Sequence, residues 1–277
     1  MTHDPMETPR HLAEIDAFYA DKLETADKAR PVSDLLAPDY ADADLPEDLL
    51  GTSFGCGNPI AFSGVRPGDS ILDLGCGVGL DLMIAAERTG PDGRVTGIDM
   101  SENMVARARA NVARHGFANI EVEQGTIEAL PFADGTFDWV VSNCVINLSM
   151  DKPAAFAELH RVLKPGGQML ISDIVVEDLP DWVGQHADLY AACLSGAVSE
   201  RTYRALAEAA GLTTVETRDT LAYDKAALRQ LIADDLPVAV GSLAGRLGLT
   251  EAAMLDKVVA DLSGKVKSIN LYGRKPG

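Results

Sequence analysis

Positive charge is what this 277-residue chain has least of. Its 24 lysines and arginines face 42 aspartates and glutamates, a formal net charge of −18 at pH 7. Such a surface repels phosphate backbones and anionic headgroups, which argues against nucleic acid or a membrane as partner. No apolar run reaches the roughly 18 residues that suggest a membrane span. Residues 1–10 are polar, hold two prolines and show no apolar signal-peptide core, so a cytoplasmic setting is expected. Cysteine is also scarce, with only Cys56, Cys76, Cys144 and Cys193. In a reducing compartment these four are expected to be thiols with structural, metal-binding or catalytic roles, and not disulfide staples. There is no internal repeat and no low-complexity tract.

A hydrophobic content of 47 % supplies a sizeable core for one large domain, or one domain with an appendage. The strongest local signal is Ser70-Ile-Leu-Asp-Leu-Gly-Cys-Gly-Val-Gly-Leu-Asp81. Ile71, Leu72 and Leu74 read as a buried strand, Gly75, Gly77 and Gly79 as a tight turn, and Leu82 onward as a helix. Strand, glycine loop and helix N-terminus together form a unit whose backbone N–H groups can cradle a nucleotide. Asp99 ends the next strand, roughly 20 residues on, where a carboxylate can hold a ribose diol. The spacing is G-x-G-x-G, not the dinucleotide G-x-G-x-x-G, and Asp73 just before the loop would repel a pyrophosphate. Asp73 suits a cationic ligand instead, such as an α-ammonium group. The pattern resembles motif I of the class I S-adenosylmethionine-dependent methyltransferases. That resemblance implies an α/β fold: a Rossmann-like, mostly parallel sheet with an antiparallel last strand, helices on both faces and a small C-terminal helical insertion.

Residues 1–50 read as a mobile tail, an amphipathic helix over 12–26 and an irregular proline-bearing segment. Residues 51–180 read as the cofactor-binding domain, and 181–277 as further helices, the last strands and the insertion. Ser101 predicts an N-cap, with Met104, Val105, Ala108 and Val112 on one helix face. Residues 119–122 read as strand three. In the methyltransferase class the loop after it meets adenine, which makes Thr126, Ile127 and Glu128 candidates. Residues 137–141 form strand four and run into Asn143 and Cys144, at the carboxyl edge where open α/β sheets bind ligands. "LKPGG" at 163–167 reads as a helix-stop turn before strand five at 168–175. Residues 180–198 read as helical, and Ser199 caps a helix ending at Gly211. Strand six is expected at 213–217. Residues 224–263 are expected to be helical, split by Pro237 and Gly241. Alternating residues over 265–273 read as a final edge strand.

Cys76 lies in the glycine loop and reads as a small residue in a crowded turn; it is grouped with the cofactor-loop residues. Cys56, Cys144 and Cys193 sit before strand one, after strand four and on a helix after strand five, all within reach of the sheet's carboxyl edge. Free cysteine is among the most buried residue types, so position alone leaves three core residues as the alternative. The surrounding motifs, "SFGCGNP" at Cys56, "SNCVINLS" at Cys144 and "AACLSGAVSE" at Cys193, resemble those of the arsenite S-adenosylmethionine methyltransferases over about residues 12–220. The resemblance implies trivalent arsenic held by the thiolates of these three cysteines and methylated from S-adenosylmethionine. It implies cofactor contacts from Asp73 to the ammonium, Asp99 to the ribose and Met100 beside the adenine, with Gly75, Gly77, Thr126, Ile127 and Asn143 completing the set. Trivalent arsenic is soft, as thiolate is. Its lone pair is already a nucleophile, so no general base is required, and the lack of a catalytic His or Lys in these motifs is expected. His160 and His186 read as surface or structural residues, and Val145 and Ile146 as a screen against water. Alignment of the reacting atoms can supply roughly 7–11 kcal/mol.

Two departures stand out. No cysteine follows the N-terminal helix, where many members have one associated with disulfide recycling, and Phe54 stands where a tyrosine is frequent. The substrate is expected to be a trivalent arsenical, free or glutathione-conjugated, with a thiol reductant such as thioredoxin or glutathione as partner. The alternatives are a small-molecule C- or O-methyltransferase of the quinone-biosynthesis type, which has no need of Cys56 together with Cys193, and a non-catalytic arsenic- or antimony-sequestering protein.

Overall fold

β1 (Ser70–Leu74) is an interior strand of a seven-stranded sheet, paired along both edges, and its apolar run explains why. Ile71, Leu72 and Leu74 are all fully buried, as a parallel strand covered on both faces requires. The computed structural model describes Ala13 and residues 15–17, 59–180, 196–235 and 237–277. Beyond β1 the strands are β2 (Arg94–Asp99), β3 (Ile120–Gln124), β4 (Phe137–Asn143), β5 (Leu163–Val176), β6 (Thr213–Ala222) and β7 (Val266–Arg274). Their order across the sheet is β3-β2-β1-β4-β5-β7-β6. β1 to β5 pair in parallel, and β7 runs antiparallel to both β5 and β6.

The helices follow as α1 (Pro59–Phe62), α2 (Leu80–Thr89), α3 (Glu102–His115), α4 (Lys152–Val162), α5 (Glu200–Ala209), α6 (Lys225–Asp235), α7 (Pro237–Leu247) and α8 (Glu251–Leu262). They cover both faces. Ile71 packs with Leu82, Met83, Val105 and Ala108 of α2 and α3, while Leu72 and Leu74 pack with Phe156 and Leu159 of α4 and Tyr203 of α5. α3 starts where the Ser101 side chain accepts the Met104 N–H at 3.3 Å, and it buries Met104, Val105, Ala108 and Val112. Ser199 caps α5 in the same way, accepting from Thr202 N–H at 3.2 Å.

The structure corrects three expectations. β7 is not an edge strand. It is inserted between β5 and β6, and its apparent polar face is buried and hydrogen-bonded: Ser268 and Asn270 are each 6 % exposed, and Asn270 Oδ1 accepts from the Ser172 hydroxyl. The edge is β6, which runs to Ala222 and keeps most of its residues exposed. Lys164-Pro-Gly-Gly167 does not precede β5 but lies within it. Leu163 already pairs with Phe137, and the next partners, Trp139 and Gln168, show that the turn is absorbed as a bulge. Gly241 does not split the C-terminal helices: α7 runs through it, and the break comes at Gly248. Because β6 and β7 complete the sheet that β1 to β5 begin, the stretches 51–180 and 181–277 share one sheet. Residues 1–12, 18–58 and 181–195, with the readings placed on them, lie outside the described residues. No helix among the described residues is long and apolar enough to cross a membrane.

At the amino ends of β1 and β4, Asp138 Oδ2 accepts from Ser70 N–H (2.9 Å), the Ser70 hydroxyl (2.6 Å) and Lys164 Nζ (2.7 Å). Partial burial pushes this carboxyl up, but the bonds from Lys164 and Ser70 outweigh it and hold the group below its ordinary value. A depressed folded pKa gives stability that is present above the unfolded value and lost as pH falls through the folded one. Asp138→Asn should therefore lower the melting temperature at neutral pH, with the difference from wild type closing below about pH 4, as thermal melts across pH would show.

Candidate active site

A cleft of about 1020 Å³ opens over the carboxyl ends of the central strands. Of the residues singled out from sequence, it brings together Gly75, Cys76 and Gly77 after β1, Asp99 and Met100 at the end of β2, Thr126, Ile127 and Glu128 after β3, and Asn143 and Cys144 at the end of β4. Asp73 is not on its wall; it lies buried behind the loop, 2 % exposed. Cys56, Cys193 and Phe54 lie outside the described residues. His160 is on α4, remote from the cleft, with its ring against Gly211.

The glycine loop is fixed by backbone geometry and one carboxylate. Gly75 has φ 69°, and a Cβ there would lie 2.1 Å from Val145 Cγ2. Glycine is therefore required twice, for its conformation and for the close approach of the residue beside Cys144. Gly75 and Cys76 both donate to the Ile98 carbonyl, at 2.8 and 3.0 Å. Asp99 spans the loop and the next helix: Oδ2 accepts from Gly77 N–H and Oδ1 from Ser101 N–H, each at 2.9 Å. Burial raises the Asp99 pKa, and those backbone bonds partly offset it.

The cleft is acidic. Asp81, in the first turn of α2, accepts from Asn143 Nδ2 at 3.0 Å. Asp73 is pushed well above the ordinary carboxylate range by burial, then by the charges of Asp81 and Asp99. Its Oδ2 is buried with no hydrogen-bond partner among the described residues. A buried acceptor left open, with two more carboxylates nearby, fits a ligand with a cationic donor and disfavours an anion. Neither lysine, arginine nor histidine stands among the described lining residues.

The two described cysteines differ. Cys76 is a free thiol packed against Gly97, 7 % exposed, its pKa raised well above the usual value by burial and then by Asp73. That is an inert thiol. Cys144 is 3 % exposed, carries a left-handed φ of 57°, and donates its N–H to the Ser172 carbonyl at 2.8 Å. It is also disulfide-bonded, to a partner outside the described residues, which corrects the expectation of four reduced thiols.

Sequence reasoning passed over several residues. Ile15 and Asp16 of the N-terminal segment line the cleft, as do Asp81, Ser101, Met104, Leu148 and Ser149. The amphipathic pattern around Ile15 signalled a helix but not where it docks. Asp81 looked like an ordinary first-turn helix acid. Glu128 bonds the Ser149 hydroxyl, tying the loop after β3 to the turn after β4.

The profile of a methyltransferase domain family matches residues 66–211. An arsenite methyltransferase of Mus musculus is 31 % identical over 272 residues, covering 89 % of this chain and 70 % of the mouse protein. The chain belongs to the arsenite methyltransferase family. Another relative so named, from Halobacterium salinarum, is 41 % identical over 185 residues, 66 % of this chain and 47 % of that protein. The chain thus spans about half the length of that relative. Among solved structures, an arsenic (III) S-adenosylmethionine methyltransferase of Chlamydomonas reinhardtii superposes with a TM-score of 0.64 at 31 % identity, over 90 % of this chain and 75 % of that one.

The contact at Gly75 makes a direct prediction. Gly75→Ala should leave the sheet folded but cost about 1–3 kcal/mol of stability, from the strained φ and the overlap with Val145, and should abolish binding to the cleft. Thermal melting and equilibrium dialysis with S-adenosylmethionine would check both.

Proposed function

We propose that this chain transfers a methyl group from S-adenosylmethionine to trivalent arsenic held by the thiolates of Cys56, Cys144 and Cys193. The observation that carries the reading is Cys144, a cysteine paired with a second sulfur, on the wall of an acid-lined glycine-loop cleft. When bound, the cofactor supplies an electrophilic methyl on a sulfonium.

The chain's own residues fit that ligand. Asp73, with its open buried oxygen, is the acceptor for the α-ammonium group. Asp99 keeps lone pairs beyond those given to Gly77 and Ser101 and can accept the ribose hydroxyls. Met100, Thr126 and Ile127 flank the adenine, and the loop N–H groups of Gly75, Cys76 and Gly77, with Asn143, complete the cradle.

Reduced thiolates are soft donors for a soft ion. Bound arsenic keeps its lone pair, so the acceptor needs no proton removed, and the described lining residues include no histidine or lysine to remove one. A carbon or oxygen acceptor would need such a base. Methylation at the lone pair raises arsenic's oxidation state by two. Two electrons return from a thiol pair, which becomes a disulfide, and an external dithiol such as thioredoxin, or glutathione, restores it. That demand places the reaction in a reducing, cytoplasmic setting.

The deciding assay is cofactor turnover with arsenite and glutathione, with arsenic species separated and quantified. Wild type should yield methylated arsenic, and Cys144→Ser about a hundredfold less. Cofactor binding without methylated arsenic from wild type would reject the reaction and turn the search to carbon or oxygen acceptors. A second measurement concerns Asp73. Its raised pKa means it is neutralised earlier than an ordinary carboxyl as pH falls. Cofactor affinity should weaken toward acid pH, and Asp73→Asn should bind about 10–100-fold more weakly at neutral pH with a flatter pH dependence, read by titration calorimetry.

A further inference from the structure

We propose that Asn147, Asp173 and Tyr203 are positioning residues for Cys144, a buried polar clamp that fixes the turn from which its sulfur meets the cleft. The inference rests on the reading of Cys144 as a ligand to arsenic.

β4 ends at Asn143 and α4 begins at Lys152, so residues 144–151 must carry the chain off the sheet. Cys144 takes the first step in a left-handed conformation that disfavours any residue with a Cβ. Such a conformation persists only where the surroundings over-determine it. Here two points on the turn are tied to consecutive residues of β5. Cys144 N–H goes to the Ser172 carbonyl at 2.8 Å. Asn147 goes to Asp173 by its backbone N–H (3.3 Å to Oδ2) and its side-chain amide (2.7 Å to Oδ1), and the amide also reaches the Ile174 carbonyl at 2.7 Å.

The third member comes from another element. Tyr203 of α5 lies with its hydroxyl 2.6 Å from Asp173 Oδ2 and 2.8 Å from Asn147 Oδ1, so one phenolic hydrogen is shared between carboxylate and amide. All three residues are fully buried. Above them, Lys152 Nζ donates to the Asn147 and Ser149 carbonyls at 3.1 and 2.9 Å, closing the turn. Stability alone does not call for this arrangement, because a buried ionisable group can often be replaced by well-packed apolar side chains without loss. What the polar set supplies is direction: each bond admits one orientation of the 144–149 turn.

The cofactor's expected carboxylates, Asp73 and Asp99, sit on β1 and β2 and share no bond with the clamp. Loosening the clamp should move the sulfur and spare the cofactor. Tyr203→Phe is the cleanest perturbation, since it keeps the ring and its edge contact with Phe156, 6.1 Å between centroids. In the reduced protein, alkylation of Cys144 by iodoacetamide, mapped by mass spectrometry, should rise about tenfold as the turn opens, with Cys76 unchanged as internal reference. S-adenosylmethionine affinity should stay within about twofold while kcat for arsenite falls about tenfold. Asn147→Asp should perturb Cys144 labelling more strongly, and the exchange Asn147→Asp with Asp173→Asn, which keeps an amide facing a carboxyl, should bring it back toward wild type. Should Tyr203→Phe fold poorly, Asp173→Asn is read in the same way. Cys144 labelling and arsenite kcat at wild-type levels in both variants would overturn the clamp, whatever happens to the melting temperature. A wild type that makes no methylated arsenic would defeat the reading of the reaction, and the labelling comparison would still decide the clamp.

Discussion

The site depends on one close approach. Val145 packs into the space that a side chain at Gly75 would fill, with barely 2.1 Å between its Cγ2 and where a Cβ would lie. Through that contact the nucleotide-type loop after β1 and the cysteine-bearing turn after β4 become one wall. The parallel pairing of β1 with β4 brings Leu74 level with Ser142, so the two chain exits are neighbours before any side chain acts. Glycine lets them touch. On the proposed reading, a methyl donor lodged against the loop and a soft acceptor held at Cys144 would share one cleft.

Concentrating carboxylates in and behind that wall has a cost that the fold meets locally. Asp99 is buried but accepts two backbone N–H bonds, and Asp81 is bound by Asn143. Asp73 and the cleft-lining Asp16 each keep a buried oxygen without a partner among the described residues. An unpaired buried acceptor destabilises a protein unless a ligand satisfies it, so the energetic deficit sits where a cation would be recognised. The same acids make the cleft inhospitable to anions, in keeping with a chain whose net charge is −18.

The parts of the fold legible in the sequence were those written in short-range chemistry. The β1–loop–α2 unit, the Ser101 cap with its buried face over Met104, Val105, Ala108 and Val112, and the loop at Thr126 and Ile127 each need only a dozen residues to specify. What escaped was set by contacts distant in the chain. β7 alternates like an edge strand, and only its pairing with both β5 and β6 turns Ser268 and Asn270 into buried hydrogen-bonding residues. Lys164-Pro-Gly-Gly167 has the residues of a turn, yet the register of β4 against β5 makes it a bulge. Asn147, Asp173 and Tyr203 lie in a turn, a strand and a helix, and nothing in any one of those stretches announces the other two. Asp173 in an apolar strand reads as an interruption until its four donors are seen. Burial pushes its carboxyl up to about 6 even against those donors.

The C-terminal helices take on meaning from the same turn. α6, α7 and α8 build a cluster from Leu228, Ile232, Leu243, Met254, Val258 and Leu262, and Cys144 belongs to it together with Ile174 and Val176 of β5. These helices therefore do more than join β6 to β7. They pack an apolar cluster that includes Cys144. The cysteine thus belongs both to the lining of the acidic cleft and to an apolar cluster. A thiolate exposed to water is solvated, and one buried without a partner is raised in pKa. Under the proposed function, a soft, thiol-seeking ion would be the partner of that thiolate when the protein is reduced.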